Sequence, residues 1–176
     1  MKSLNEYQQQ AMSTAIFPVD RSLDYTVLGL CSEVGELAEA WLDNSKGYPE
    51  VAAEAGDCYW YSAAIADTLE IRLEKVVELY NGPEVSGQLI GNFIIDLTRV
   101  SGNLAGLVKK AIRDDGGHFT QEKEAKAIYF LGRTILLLDK ITQQLGTSRY
   151  AVMNDNLDKL ADRKQRGVLQ GSGDNR

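Results

Sequence analysis

Two short acidic motifs stand out in this 176-residue chain, Glu33-Val34-Gly35-Glu36 and Glu54-Ala55-Gly56-Asp57. On a helix, residues three apart lie on neighbouring turns of one face, so each motif offers two carboxylates pointing the same way. If the two helices pack antiparallel across residues 44–49, all four carboxylates converge. Like charges so placed repel one another, and the arrangement becomes favourable with divalent cations between them. Oxygen donors without a supporting histidine or thiolate favour Mg²⁺, with Mn²⁺ able to substitute, over zinc or copper. Such pairs are common on solvated helix faces. Here, however, Leu30, Val34 and Leu37 surround the first, and Ala55, Cys58 and Trp60 the second. Each motif also holds a helix-interior glycine, Gly35 or Gly56, where alanine would make the better helix. Those glycines point to close approach of another helix or a ligand.

Polar residues that could grip phosphate gather at the other end of the chain. Asn156, Lys159 and Arg163 follow an i, i+3, i+7 spacing and share one helical face. Arg166 follows, then a glycine-rich end containing Asp174, Asn175 and Arg176, which could fold over a ligand. Arginine supplies bidentate contacts to phosphate; cations near a helix C-terminus also favour its dipole without any ligand. Trp41, Trp60 and Tyr61, with Tyr59, lie near the acidic motifs and could stack a base, although aromatics at helical spacing also serve as core.

Other chemistries are excluded. A di-iron bundle needs two Glu-x-x-His pairs, and the single histidine, His118, follows Gly116-Gly117 in an expected loop. There is no GxxxxGK[ST] phosphate loop. With 19 Lys+Arg against 25 Asp+Glu, a net charge of −6 and a pI near 4.9, the chain is a poor match for a nucleic-acid polymer or an anionic membrane. No stretch approaches the roughly 18 apolar residues of a membrane span. Cys31 and Cys58 form no CxxC pair and read as reduced, buried thiols, so a cytoplasmic protein is expected.

The elements that must position these residues are helical. Apolar residues recur at three, four or six residues without strand-like alternation, and the three prolines fall where helices start or stop. The spacing predicts helices over 4–16, 23–43, 49–68, 70–80, 85–113, 120–145 and 149–165. The fold expected is all-α, a helical bundle forming one domain over residues 1–176. An internal echo suggests two tandem degenerate helical repeats. Gly35-Glu36-Leu37-Ala38 aligns with Gly102-Asn103-Leu104-Ala105, and Glu54-Ala55 before Tyr59-Trp60 aligns with Glu124-Ala125 before Tyr129-Phe130. The sub-repeats would be 20–82, acidic, and 83–166, cationic, with 167–176 a tail.

The run Leu28-Gly29-Leu30 into Glu33-Val-Gly-Glu36-Leu-Ala-Glu39, then Glu54-Ala-Gly-Asp57-Cys-Tyr-Trp-Tyr61, resembles the MazG-like members of the all-α nucleoside triphosphate pyrophosphohydrolase superfamily. That superfamily also contains dimeric dUTPases and dCTP pyrophosphatases. The opening Leu4-Asn5-Glu6-Tyr7-Gln8 and the ending Asn156-Leu-Asp-Lys159-Leu-Ala-Asp-Arg163 resemble a bacterial and phage MazG-like subgroup, while residues 70–100 match poorly. The resemblance implies Mg²⁺ held by Glu33, Glu36, Glu54 and Asp57. It implies hydrolysis of a (deoxy)nucleoside triphosphate to monophosphate and pyrophosphate, with Glu33 or Glu36 activating the water and Lys159 and Arg163 on the phosphates. It also implies a homo-dimer or dimer of dimers, in the host cytoplasm if phage-encoded. The substrate expectation leans to purine deoxynucleotides. The alternatives are a dUTP- or dCTP-specific pyrophosphatase, and a non-catalytic helical module that binds a metal or a basic partner.

The chain departs from the family pattern in two places. Lysines that single-repeat members carry after the ExxE helix appear instead as Lys109 and Lys110, where the acidic positions have become Val100, Asn103 and Ala127. A composite site, with metal ligands from one half and phosphate-gripping cations from the other, is the expectation. The second departure is Ala53, where many relatives have a glutamate.

Overall fold

The computed structural model describes residues 3–43, 45–85 and 87–170, and is all-α among them. Its helices are α1 (Leu4–Met12), α2 (Ser22–Leu42), α3 (Tyr48–Thr68), α4 (Leu73–Leu79), α5 (Ile90–Asp114), α6 (Gln121–Gln144) and α7 (Arg149–Gln165), with a 3₁₀ turn at Val19–Arg21. Local chemistry sets many of the ends. Ser3, Thr120 and Ser148 cap α1, α6 and α7, each hydroxyl accepting from the backbone N–H three residues on. Pro49 occupies the first turn of α3, where its missing N–H costs nothing. α6 ends at Gly146, whose φ of +77° lets the Thr147 N–H reach back to the Thr142 carbonyl.

Two expected helices are shorter than their periodicity suggests. α1 stops at Met12 rather than residue 16, because the Ala11 carbonyl accepts from the Thr14 hydroxyl and the Trp60 indole, and Pro18 disfavours helix at Phe17. α5 starts at Ile90 rather than residue 85. The segment before it is pinned to α6, with Arg133 donating to the Pro83 carbonyl at 2.6 Å and Gln144 to the Gln88 carbonyl at 2.7 Å.

α2 and α3 form one antiparallel hairpin, and α5 and α6 a second. The hairpins lie side by side through α2 and α5, with Cys31 donating to the Ser101 carbonyl at 3.5 Å. α7 runs along α3, and α4 packs on α6. The helices share one apolar core, which includes Leu30, Leu37, Ile65, Leu97, Leu104, Leu131 and Leu138. The span 83–166 is therefore not a self-standing unit, since its last helix rests on the first hairpin. α1 braces α3 and α4: Asn5 and Gln8 bond across to Glu74 and Ile71, and Gln8 accepts from the Leu73 N–H. No helix among the described residues is long and apolar enough to cross a membrane.

Candidate metal centre

The antiparallel pairing of α2 and α3 sets Glu33 and Glu36 against Glu54 and Asp57. One carboxylate oxygen from each of Glu33, Glu36 and Glu54 lies within 4.8 Å of the others. Glu36 is exposed and Glu33 half-buried, while Glu54 is only 4% exposed, deep between the helices. Asp57 continues the row and is held from α7, where Asn156 Nδ2 donates to its Oδ1 at 2.7 Å and Lys159 Nζ to its Oδ2 at 2.5 Å. α7 can come this close because Gly56 has no side chain. A Cβ there would stand 3.1 Å from Asn156 Cβ.

Burial pushes the Glu33 carboxyl up to about 8, the charges of Asp57, Glu36 and Glu54 add to the rise, and Lys159 only partly offsets it. Burial and the same four carboxylates hold the Cys58 thiol well above its usual range, so it stays protonated beside them. Cys31 and Cys58 are both free. The donor set therefore consists of hard carboxylate oxygens, with no histidine or thiolate among the clustered groups. That set fits Mg²⁺ or Mn²⁺, which take oxygen ligands. Among the described residues, Asn156 Oδ1 is a further buried oxygen, and it has no hydrogen-bond partner.

The remaining sequence-predicted residues divide by position. Arg163 is 5% exposed on α7, one turn beyond Lys159, whereas Arg166 is exposed and pairs with Asp162 at 2.7 Å. Asp174, Asn175 and Arg176 lie outside the described residues. Lys109 and Lys110 are exposed on α5, eight residues beyond Ser101 and so about 12 Å further along the helix. Among the described residues no hydrogen bond or ion pair joins them to the clustered carboxylates; of the second half's cations it is Lys159 that reaches the site, on Asp57. The reason is topological. α5 packs beside α2, whereas α7 is the helix that lies over Asp57.

Trp60 and Tyr61 pack edge to face with centroids 5.0 Å apart, while Trp41 lies apart from them, and none of the three lines a cleft described among these residues. The Trp60 indole is buried and donates to the Ala11 carbonyl and the Thr14 hydroxyl at 3.2 and 3.1 Å, which makes it an anchor for the end of α1. Tyr61 fits against Gly29, where a Cβ would stand 2.0 Å from its ring, and it borders the site near Glu33 and Asp57. Trp41 lies two turns along α2 in the other direction, stacked on Tyr48 with centroids 6.4 Å apart. Gly35, unlike Gly56, marks no close contact within the chain, since a Cβ there would meet nothing within 4 Å.

One positioning network carries no local sequence signal. Asp139 of α6 accepts from the Tyr59 hydroxyl of α3 at 2.8 Å and from Arg149 in the first turn of α7. Burial raises the Asp139 carboxyl, with Arg149 and Tyr59 opposing that rise. This three-helix junction fixes α7 against α3, and with it the placement of Asn156 and Lys159.

Among the clefts formed by the described residues, two bear on the sequence-predicted residues. The larger, about 980 Å³, opens at one end of the bundle between the 3₁₀ turn and the α5–α6 loop, and His118 lines it as a loop residue. None of the four clustered carboxylates borders it. The smaller, about 340 Å³, lies between α3 and α7 and shares Asn156 and Lys159 with the metal centre.

No protein-family model matches the chain, and no solved structure matches it. The Gene 37 protein of Mycobacterium phage L5 is 42% identical over 76 residues, a stretch covering 43% of this chain and 67% of the relative. The chain belongs to that phage protein's family. The relative's name carries no activity, so the chemistry rests on the geometry.

Proposed function

We propose that this member of the phage Gene 37 protein's family is a divalent-cation-dependent pyrophosphohydrolase that converts a (deoxy)nucleoside triphosphate to its monophosphate and pyrophosphate. The observation that carries the proposal is the convergence of Glu33, Glu36 and Glu54 oxygens within 4.8 Å, beside an Asp57 already held by Lys159. Like charges are seldom gathered in a helix interface without a partner to neutralise them. The resemblance of the two acidic motifs to MazG-like proteins supports the same reading, and purine deoxynucleotides are the favoured substrates.

Mg²⁺ bound there would supply the positive charge that offsets the triphosphate and would make water more acidic. Glu33 and Glu36 reach the cluster from α2, and one of them takes the proton of the water attacking the α-phosphorus. The bond from the α-phosphorus to the α–β bridging oxygen breaks, and pyrophosphate leaves with that oxygen. Asn156 and Lys159 orient Asp57, and Lys159 and Arg163 present positive charge to the phosphates as charge develops on the leaving group.

A homo-oligomer forms part of the proposal. Leu28 and Leu42 of α2 and Ile95 of α5 are 66%, 76% and 70% exposed, on the two helices that join the hairpins. Light scattering tests it, and a monomer at assay concentration counts against it.

The test of the activity is pyrophosphate release from the eight common ribo- and deoxynucleoside triphosphates, with Mg²⁺ and then Mn²⁺. Turnover that falls at least about 100-fold in Glu36→Gln is expected. No turnover with any of the eight would overturn the reading and favour a non-catalytic metal-binding module. Turnover confined to dUTP or dCTP would instead place the protein with the pyrimidine-specific enzymes.

A further inference from the structure

Resting on the pyrophosphohydrolase reading, we propose that Lys159 is an exchangeable counter-ion of Asp57: a divalent cation takes Asp57 in its place, and the displaced ammonium meets the triphosphate. Metal binding and phosphate binding are thereby coupled through one side chain.

Asp57 is held from α7 by two unlike donors. Asn156 Nδ2 gives Oδ1 a hydrogen bond from a neutral amide at 2.7 Å, and Lys159 Nζ gives Oδ2 one from a charged group at 2.5 Å. Asn156 is fixed in place. It is 4% exposed, and its Cβ lies 3.1 Å from where a Cβ on Gly56 would stand. Lys159 can turn away. Its side chain is 24% exposed and lines the cleft between α3 and α7. Rotation about its flexible stem therefore carries the ammonium off Asp57 towards the cleft without moving the helix.

Charge makes the two cations competitors. Asp57 stands beside the Glu33, Glu36 and Glu54 oxygens, which lie within 4.8 Å of one another. From its position on Asp57 the Lys159 ammonium also acts on Glu33, where it opposes the rise of that carboxyl. A divalent cation among these carboxylates would therefore sit close to a like charge. A carboxylate has lone pairs enough to accept from a neutral amide and bind a metal together, so Asn156 stays. An ammonium on the same carboxylate repels the metal, so Lys159 leaves. Metal and ammonium then share the phosphates rather than Asp57.

The sign of one measurement separates exchange from a purely supporting role. If Lys159 only held Asp57 in place, its removal would weaken metal binding; as a competitor, its removal strengthens it. Mn²⁺ affinity, read from the free-ion paramagnetic resonance signal, should be at least about fivefold higher in Lys159→Met than in wild type. The KM for the triphosphate should rise in the same variant. Unchanged or lower Mn²⁺ affinity, in a variant whose circular dichroism matches wild type, would overturn the exchange.

A second measurement needs no variant. Acylation of Lys159 in wild type, followed by peptide mass spectrometry, should be at least about twofold faster in saturating Mg²⁺ than in a chelator. The exposed Lys109 and Lys110 serve as references of constant rate. Tripolyphosphate added with the Mg²⁺ should slow the reaction at Lys159 again. Labelling that ignores Mg²⁺ would overturn the exchange, and labelling that stays fast with tripolyphosphate would overturn the transfer to phosphate. Exchange in a protein that releases pyrophosphate from no triphosphate would uphold this inference and overturn the reaction. Normal hydrolysis with Lys159 labelling blind to Mg²⁺ would do the reverse.

Discussion

The two hairpins are both pairs of long helices, with opposite linings. In the α5–α6 hairpin the positions aligned with Glu33 and Asp57 are Val100 and Ala127, at 1% and 0% exposure. The charges that do cross between those helices are of opposite sign, Asp96 with Arg133 at 2.7 Å and Asp115 with Lys123. Burial pushes Asp96 up, but Arg133 and Arg99 outweigh it and hold the carboxyl below the usual range. In the α2–α3 hairpin three carboxylates face each other, Glu33 is driven up to about 8, and Lys159, the cation on Asp57, comes from a third helix. One hairpin is built as an ordinary helix interface. The other gathers like charges across a helix interface, which is how a site differs from a scaffold.

Moving a charge into the scaffold hairpin should have the largest effect. Val100→Glu places an unpaired carboxylate in the core and should destabilise the protein by about 3–5 kcal/mol in urea unfolding. A change under about 1 kcal/mol would show that the two linings are interchangeable, and the contrast would fail.

Removing a charge from the acidic hairpin should act in the opposite direction. The Glu33 carboxyl is raised in the folded protein, so its contribution to stability is fully present below its unfolded pKa, near 4.5, and is lost as pH rises towards 8. Metal-free wild type should therefore weaken across that window. Glu33→Gln should flatten the profile and gain about 2–4 kcal/mol at pH 8. Unfolding free energies measured in a chelator from pH 5 to 8 decide it; parallel profiles would contradict the account.

Lys159→Met should have a smaller effect, a loss of about 1–3 kcal/mol as Asp57 loses its cation, together with a higher KM for the triphosphate. Denaturant melts and steady-state kinetics on the same sample check both parts. Replacing Lys109 and Lys110 by alanine should change stability by less than about 0.5 kcal/mol and leave KM unchanged. A raised KM there would show that a second chain carries those lysines to the site.

Much of the site was legible because one periodicity governs it. The three-residue spacing in Glu33-x-x-Glu36 and Glu54-x-x-Asp57 dictates a shared face, and the short link at 44–49 dictates an antiparallel pairing, so the carboxylate cluster follows from local rules. The all-α fold was legible for the same reason. What failed to show in the sequence depends on contacts between residues far apart in the chain. Nothing near Trp60 says that its indole will be used by Ala11 and Thr14, and nothing near Asp139 announces Tyr59 and Arg149. The late start of α5 is likewise set by Arg133 and Gln144 of another helix. The lysine pair was misplaced because an internal alignment reports which residues are equivalent, not which helix will lie over Asp57.

The central claim is that the acidic hairpin holds a divalent cation, and Mn²⁺ binding followed by the loss of its free-ion paramagnetic resonance signal at pH 7.5 tests it most directly. The account predicts saturable binding to wild type, at least about tenfold weaker in Glu36→Gln, because one of a few oxygen ligands has lost its charge. Absence of binding to wild type, or equal binding to both proteins, would contradict it.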